Sequence, residues 1–394
     1  MNAKEKLSKG ITLVALVITI IILLILAGIS ISALTNQGLF KNAKAAQNAT
    51  EKAEKEQGQR LNEYEDEINK YLGNSKDESK EESKVTTVEE AIKKNGALST
   101  TDNTELKDAK NNKIVVPAGF KIVEGATTVD KGIVIEDVTE TATKGSQFVW
   151  IPVGKITKAD GTTTPITLGR YDFDSTTGKE SAYSGAFVEE DANDKSELKK
   201  YGNTIAKNIT NFKKSVAQNG GYYIGRYEAR TATARSASGN ALTQITEKGI
   251  ENVYNWVTQL QAAQLSQNMY TSDKFTSDLI NSYAWDTAIV FIQNCGTNAN
   301  YSIKNSLNTT FSQTGTNSLT DTSKIDVQCN IYDMASNIIE YTTETSTFNA
   351  SQFPCASRGG YYNENDRCTS TRYYNLTSNS RDHLSFRPIL YINV

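Results

Sequence analysis

The stretch Gln147-Phe148-Val149-Trp150-Ile151-Pro152-Val153 sets the character of the C-terminal part of the chain. Apolar β-branched and aromatic residues dominate this stretch and glycines flank it, which is typical of a buried β-strand. Similar short runs occur before and after it, at 114–116, 120–123, 132–135 and 221–229. We therefore predict a set of short strands from Lys113 onward.

Two helical patterns follow these strands. Apolar residues recur every three or four positions in each pattern, which predicts core-facing helices. The members are Ile250, Val253, Trp256, Val257 and Leu260 in the first, and Ile280, Tyr283, Ala284, Ala288 and Phe291 in the second. Strand patterns return at 327–332, 337–342, 357–362 and 386–392. This order of strands, helices and strands predicts an α+β domain. The polar stretch 155–218 shows neither a helical nor a strand pattern, and no secondary structure is assigned to it.

Charge and histidine content exclude some classes of function. The net charge is −3, and the 42 Lys and Arg residues are scattered singly. This distribution gives no broad basic face, so nucleic acid is not an expected partner. His383 is the single histidine, which excludes sites that need several imidazoles. A soluble part rich in Asn, Thr, Ser and Tyr favours polar recognition over a dehydrated active site.

The four cysteines, Cys295, Cys329, Cys355 and Cys368, have no Cys-x-x-Cys spacing. The spacing therefore gives no zinc motif. In an oxidising exterior, Cys355 can pair with Cys368 and Cys295 with Cys329, although spacing alone does not fix the connectivity. Free buried thiols are the alternative interpretation.

The N-terminal run Ile11–Leu34 contains no charged residue, and three lysines precede it. A helix of this length spans a bilayer core of about 30 Å. Lysines before the run favour a cytoplasmic N-terminus and an exported C-terminus. The alternative is a cleaved secretory signal, but the run is long for one and no Ala-x-Ala site follows it. The sequence thus predicts a single-pass protein of the cell membrane, with an extracellular C-terminal domain.

The leader ending Ser8-Lys9-Gly10, followed by Ile11-Thr12-Leu13-Val14-Ala15, resembles the prepilin signal of type IV pilins and pseudopilins. The resemblance implies cleavage between Gly10 and Ile11 by prepilin peptidase, with methylation of the new N-terminus. Ala15 replaces the acidic residue of the family, whose carboxylate neutralises a neighbouring amine in the filament. A tip-type minor pilin or a monomeric anchor remains compatible with this departure.

The chain divides by composition into four segments. Residues 1–10 form the leader, and residues 11–72 form a transmembrane and extended pilin-like α-helix. Residues 73–112 begin with an entirely polar run and are interpreted as a flexible linker. Residues 113–394 form the C-terminal domain.

Five motifs of this domain resemble those of formylglycine-generating (sulfatase-modifying factor) domains, and they occur in the order typical of that family. They are Phe148-Val149-Trp150-Ile151-Pro152, Tyr223-Ile224-Gly225-Arg226-Tyr227-Glu228, Tyr332-Asp333-Met334-Ala335-Ser336-Asn337-Ile338-Ile339-Glu340-Tyr341, Arg358-Gly359-Gly360-Tyr361 and Ser385-Phe386-Arg387. The resemblance implies a loop-rich fold shared with C-type lectins. The oxidising enzymes of the family hold copper with two nearby cysteines, whereas only Cys368 lies near that place here. A lone thiol does not form the paired site that Cu(I) prefers, so catalysis is disfavoured.

The segment between the Gly-Gly motif and the terminal Phe-Arg is rich in Tyr, Asn and Arg, a mixture typical of paratopes. Lectin-like proteins diversified by retroelements place their variable residues in this segment. The candidate ligand-binding residues are Tyr361, Tyr362, Asn363, Asn365, Arg367, Arg372, Tyr373, Tyr374, Asn375, Asn379, Arg381 and His383. An ordinary polar loop surface is the alternative interpretation.

Asp333, Asn337 and Glu340 are candidate ligands for a structural calcium ion. Some members of the family bind calcium near the matching motif, and hard oxygen ligands suit that ion. The alternatives are a hydrogen-bonded core turn and a buried ion pair of Glu340 with Arg387 or Arg358. The sequence predicts no other cofactor.

These observations predict a surface-displayed binding protein, either an adhesin or a tip-type minor pilin, that recognises a protein or a glycan. Other pilins and the membrane are the further expected partners. An oxidoreductase of the formylglycine-generating type and a purely structural minor pilin are the alternatives.

Overall fold

The computed structural model describes residues 85–189, 208–303, 326–348, 350–362 and 368–394. The α-helices in these ranges are α1 (Val88–Lys94), α2 (Ile209–Asn219), α3 (Gln259–Gln267) and α4 (Ser282–Cys295), with a 3-10 helix at Val129–Lys131. The first strands are β1 (Thr104–Lys107), β2 (Lys113–Val116), β3 (Phe120–Ile122), β4 (Val134–Asp137), β5 (Gln147–Pro152), β6 (Gly154–Thr157), β7 (Thr163–Ile166), β8 (Tyr171–Phe173), β9 (Glu180–Ala182) and β10 (Phe187–Val188). The later strands are β11 (Gly221–Gly225), β12 (Arg230–Thr231), β13 (Asn252–Val253), β14 (Phe275–Leu279), β15 (Val327–Gln328), β16 (Ile331–Tyr332), β17 (Ile339–Ser346), β18 (Cys355–Arg358), β19 (Arg372–Asn375), β20 (Leu384–Phe386) and β21 (Pro388–Ile392).

The larger sheet has six antiparallel strands in the order β14-β21-β11-β5-β4-β3. Its centre joins distant segments of sequence, because β11 pairs with both β5 and β21. Trp150 on β5 is fully buried, and its ring lies 4.9 Å from that of Tyr223 on β11. The opening stretch is thus a central strand, as the sequence predicts.

The smaller sheet carries the candidate site. Its strands follow the order β10-β17-β18-β19, and β20 pairs in parallel with β17. Every residue of β17 and β18 is buried, whereas no residue of β19 is. Among the described residues, β19 is therefore the strand through which this sheet reaches the surface.

Helices α3 and α4 both contact β17 of the smaller sheet, and they reach β14 and β5 of the larger sheet, respectively. The second helical pattern is confirmed, because α4 buries Ala284, Ala288 and Phe291. The side chain of Asn281 caps this helix by accepting a hydrogen bond from the amide of Ala284 at 2.9 Å.

The first helical pattern is wrong for most of its length. Asn252–Val253 forms a strand, and Trp256 has a positive φ of 56°, which no residue inside an α-helix adopts. Helix α3 begins at Gln259, where Thr258 and Gln261 form a capping box. Leu260 and Ile250 are exposed rather than buried. Of the five members of the pattern, only Val253 and Val257 are buried, so the helical spacing does not mark a buried face here.

The domain begins before Lys113. Residues 85–112, placed in the linker by composition, contain α1 and β1, and β1 pairs with β2. Val88 and Leu106 are both buried in the core. A few apolar residues in a polar segment are enough here, because these residues enter the hydrophobic core. The polar stretch 155–218 also contains two hairpins, β6/β7 and β8/β9, and the start of α2.

The turn between β16 and β17 explains the Gly-Gly motif. Asp333 and Asn337 adopt left-handed backbone conformations, with φ of 64° and 60°. Gly359 has a φ of 88°, and a Cβ there would lie 2.9 Å from the carbonyl oxygen of Met334. Only glycine lets β18 pass this closely to the turn.

The fold is a mixed α and β domain dominated by strands. The coarser part of the α+β prediction, a domain that contains both helices and strands, is therefore confirmed. The leader, the long N-terminal helix and the processing site at Gly10 and Ile11 lie outside the described residues. Within the ranges given above, no helix has both the length and the apolar character that a membrane crossing requires.

Candidate binding face

Strand β19 divides the predicted binding residues between two sides of the smaller sheet. Consecutive side chains in a strand point to opposite faces. Tyr373 and Asn375 therefore lie on one face, whereas Arg372 and Tyr374 lie on the other. The continuous surface expected from the sequence is in fact two separate surfaces.

Arg372 belongs to a buried ion-pair network and not to a ligand surface. Arg358 donates to Asp286 at 2.5 Å and to Glu344 at 3.0 Å. Arg372 donates to the same two carboxylates at 2.5 Å and 2.8 Å. Arg170 lies 2.8 Å from Glu344. The side chain of Arg372 is only 7% exposed, so the structure places this predicted binding residue inside the network.

The three guanidinium groups dominate the electrostatics of this network. Burial by itself would raise the pKa of Glu344, but Arg372, Arg358 and Arg170 together hold that pKa well below its usual range. Glu344 is therefore ionised at neutral pH. The network fixes β17, β18 and α4 relative to one another, beneath the surface that β19 exposes.

Tyr374 is part of an aromatic ladder, which we define as Phe187, Tyr374 and Phe348. Phe187 is buried, whereas Tyr374 and Phe348 are exposed. The Phe187 and Tyr374 rings stack with centroids 4.4 Å apart and an interplanar angle of 27°. Phe348 lies 5.8 Å from Tyr374 and is 66% exposed. Sequence patterns do not join Phe187 and Phe348 to this site, because these residues are distant in the chain and lack a shared motif.

The loops that follow β18 and precede β20 carry what we call the loop cluster: Tyr361, Tyr362, Asp382 and His383. Tyr361 stacks on His383 at 5.1 Å, and it meets Tyr362 edge-on at 5.7 Å. The His383 Nδ1 atom lies 3.0 Å from an Asp382 carboxylate oxygen. Burial, followed by the Asp382 carboxylate, raises the pKa of Tyr362, so its hydroxyl stays protonated.

Amide side chains continue this surface. The Asn379 Nδ2 atom donates to Asn375 Oδ1 at 2.9 Å, and Asn375 donates to the Ser357 hydroxyl at 2.7 Å. Arg381 is exposed, whereas Tyr373 is half-buried and packs against the core. Asn375 on β19 is thus joined to Asn379 in the loop that follows it.

The main chain of the 376–383 loop is fixed by donors from the core. Trp256 N donates to the Arg381 carbonyl at 3.0 Å, and Ile339 N donates to the His383 carbonyl at 3.1 Å. Two side chains add to this. Asn255 Nδ2 donates to the Asp382 carbonyl at 2.9 Å, and the Tyr341 hydroxyl donates to the Asn379 carbonyl at 2.8 Å. The backbone is held while its polar side chains face outward.

Asn363, Asn365 and Arg367 lie outside the described residues. Of the twelve predicted binding residues, Arg372 is thus removed to the ion-pair network and Tyr374 to the aromatic ladder.

The proposed calcium ligands have other partners. Glu340 binds Arg387 in a bidentate ion pair at 3.0 and 2.6 Å, and both side chains are buried. Asn337 donates to both carboxylate oxygens of Glu228 at 3.0 and 3.1 Å. Asp333 accepts a hydrogen bond from Ser336 at 3.2 Å.

The alternative of a hydrogen-bonded turn with a Glu340–Arg387 pair describes this motif, and the calcium assignment is not supported by this geometry. Among the described residues, no group of three or more His, Cys, Asp and Glu side chains gathers as a metal site.

All four cysteines are free thiols, so neither predicted disulfide is formed in this structure. Burial raises the pKa of Cys295 and Cys355 to about 12, which keeps both thiols protonated. The Cys368 sulfur lies 3.3 Å from the Ser370 hydroxyl and 3.1 Å from the Thr371 hydroxyl.

Comparisons with known proteins assign no family to the chain. No protein-family model matches it, and no curated protein matches it. Among solved structures, it is similar to "Treponema denticola variable protein 1", with 12% identity and a TM-score of 0.34. That match covers 63% of this chain and 97% of the other.

Proposed function

We propose that this chain is a surface-displayed binding protein that recognises a protein or glycan ligand through the loop cluster and the adjoining amides. We further propose that its domain has the C-type-lectin-like fold suggested by the formylglycine-generating motifs. The apolar run Ile11–Leu34 would anchor the chain in the cell membrane and leave this domain outside.

The anchoring of the 376–383 loop is the observation that carries the proposal. Four carbonyls of this loop accept hydrogen bonds from core donors, so the backbone is ordered before any ligand arrives. A loop ordered in advance loses less conformational entropy on binding, which favours affinity. Its side chains include rigid aromatic and adaptable amide groups, which suit polar recognition.

The charge pattern of the face also favours polar ligands. Asp382 and Arg381 are exposed side by side, and His383 is one-third exposed beside Asp382. Opposite charges interspersed with amides provide directional donors and acceptors over a small area. Such a surface suits hydroxyl-rich glycans and polar peptide segments, rather than an apolar ligand.

The test uses the full-length chain in mild detergent, screened against an immobilised glycan array and a displayed peptide library. For any ligand recovered, we compare Tyr361→Ala/Tyr362→Ala/His383→Ala with Leu242→Ala/Leu260→Ala. The control removes two exposed apolar side chains outside the face. We expect the triple variant to lose about 30-fold or more in affinity, because central aromatic contacts typically dominate binding.

A further variant, Phe348→Ala/Tyr374→Ala, separates the aromatic ladder from the loop cluster. We expect it to keep most of the affinity. If the triple variant keeps its melting temperature and binds every recovered ligand within about twofold of the natural chain, the proposed face is wrong. Loss of binding in the ladder variant alone would show that the ligand binds at the aromatic ladder instead.

A further inference from the structure

A pocket lies outside the proposed binding face, beside the first residue of β5 and the last residue of β16. Its volume is about 420 Å³, and its lining includes Gln147, Tyr227, Lys248, Ile250 and Tyr332. That volume is in the range of small-molecule sites. None of these residues belongs to the loop cluster or to the aromatic ladder.

The two tyrosines form a wall of this pocket. Their ring centroids are 4.9 Å apart, with an interplanar angle of 36°. Gly249 allows the main chain to approach this wall, because a Cβ there would lie 2.6 Å from the Tyr227 ring. Within the described part of the chain, neither tyrosine hydroxyl has a hydrogen-bond partner, so both are available to a ligand.

Positive charge lies behind this wall. The Arg226 guanidinium lies 5.6 Å from the Tyr227 ring centroid and 5.4 Å from that of Tyr332. It donates to Gln147 Oε1 at 2.7 Å and to the Asn330 carbonyl, both of which are uncharged groups. No carboxylate of the described residues forms an ion pair with Arg226. Gln147 in turn donates to the Glu136 carboxylate at 2.7 Å, so Arg226 is linked to this acid only through an uncharged amide.

Glu247 is a buried acid next to this wall, and its Oε2 atom accepts a hydrogen bond from Tyr227 N at 3.3 Å. Burial raises the pKa of Glu247 well above its usual range. Its Oε1 atom is buried without a hydrogen-bond partner. Lys248, next in the chain, lines the pocket, and its ion pair with Glu251 is long at 3.4 Å. A cation on the ring faces and a lysine in the lining both disfavour a cationic ligand.

Ile250 gives the pocket an apolar edge. Its side chain is 96% exposed, the largest exposed fraction among the large hydrophobic residues described. An exposed branched side chain beside two tyrosine rings favours a ligand with an apolar body. The lining thus offers an aromatic and aliphatic surface together with a positive charge.

We infer that this pocket binds a small aromatic carboxylate, with its ring against Tyr227, Tyr332 and Ile250 and its carboxylate towards Lys248. The inference is independent of the proposed binding face, since the two sites share no residue.

The test is a titration of the full-length chain with phenylacetate, followed by ligand-observed NMR. Phenylacetamide and benzylammonium serve as neutral and cationic probes of nearly the same shape. We expect phenylacetate to bind at millimolar concentration or below, and phenylacetamide to bind about tenfold more weakly. Benzylammonium should bind more weakly still.

Two variants locate the site without threatening the fold. Lys248→Gln removes the lining charge, and Ile250→Ala truncates a side chain that is almost wholly exposed. Each should weaken phenylacetate binding by about three- to tenfold, whereas the exposed control Lys155→Gln should leave it unchanged. The inference is overturned if phenylacetate fails to bind at about 5 mM, if phenylacetamide binds equally well, or if both pocket variants bind like the natural chain.

Discussion

The side-chain amide of Asn255 donates a 2.9 Å hydrogen bond to the main-chain carbonyl of Asp382. Asn255 precedes α3 and is 5% exposed, whereas the Asp382 side chain is 54% exposed. One buried residue therefore holds the backbone of an exposed one. The proposed binding face therefore depends on a residue that is buried beneath it.

Replacement of Asn255 by Ala should loosen the 376–383 loop. The change removes one donor and leaves the Asp382 carbonyl to water, so we expect a loss of about 1 kcal/mol in the free energy of unfolding. Amide hydrogen exchange should increase in the loop more than in β17. Affinity for a ligand of the loop cluster should fall several-fold. Unchanged exchange in the loop would show that the other three donors are sufficient.

Removal of Arg358 should destabilise the domain strongly. Arg358→Met leaves Asp286 and Glu344 with one guanidinium fewer, in a site where all three side chains are fully buried. Breaking a buried ion pair from one side typically costs about 3–5 kcal/mol. Urea denaturation of Arg358→Met measures this cost. The exposed Arg381→Met is the matched control and should change the free energy of unfolding by less than about 0.5 kcal/mol.

Glu189 should make stability depend on pH. Burial, followed by repulsion from Glu344, raises the pKa of Glu189 from 4.5 to about 7. Because the folded state binds this proton more tightly than the unfolded state, the associated stability is complete below about pH 4.5. It is lost as the pH rises through about 7.

Glu189→Gln tests this directly, because glutamine resembles the protonated acid. Its carbonyl oxygen can still accept from Ser282 N, and its amide can donate to the Thr343 hydroxyl, the two partners that Glu189 has at 2.7 Å. We expect the variant to match the natural chain near about pH 4 and to exceed its stability by the order of 1 kcal/mol near about pH 8, after allowance for solvent screening. Parallel stability curves across this pH range would contradict the assignment.

Gly359→Ala should also be destabilising. The new Cβ would lie 2.9 Å from the Met334 carbonyl, on a residue whose φ of 88° disfavours any side chain. We expect a loss of about 2 kcal/mol or more, measured by thermal or urea unfolding. Gly239→Ala is the control, because a Cβ there has no heavy atom within 4 Å and its φ is not in the positive range. A melting temperature for Gly359→Ala equal to that of the control would disprove the close contact.

The sequence predicted the strands of the core better than its helices. Apolar stretches such as 147–153 and 386–392 are stable only as buried strands. In the structure they form β5 and β21, respectively. The pattern around Trp256 failed because its apolar residues do not share a buried face: Ile250 and Leu260 are exposed, whereas Val253 and Val257 are buried. Helix α1 and strand β1 were missed because their few apolar residues, such as Val88 and Leu106, become informative only once the core that they enter is known.

The sequence predicted which segment reaches the surface but not how its residues divide. A shift of one position along β19 changes the face on which a side chain lies, and the sequence does not fix that register. Arg372 and Tyr374 are therefore separated from Tyr373 and Asn375. Phe187 joins the aromatic ladder through pairing of β10 with β17, a long-range contact that no local motif encodes.

The anchors of the 376–383 loop have a consequence for how the surface can evolve. Donors in the core bind this loop through its main-chain carbonyl groups, which every amino acid has. The path of the loop therefore depends little on the identity of its outward side chains. Chains in which these outward positions are exchanged should keep the fold of the loop, and under the proposed function such exchanges would change the ligand that is bound.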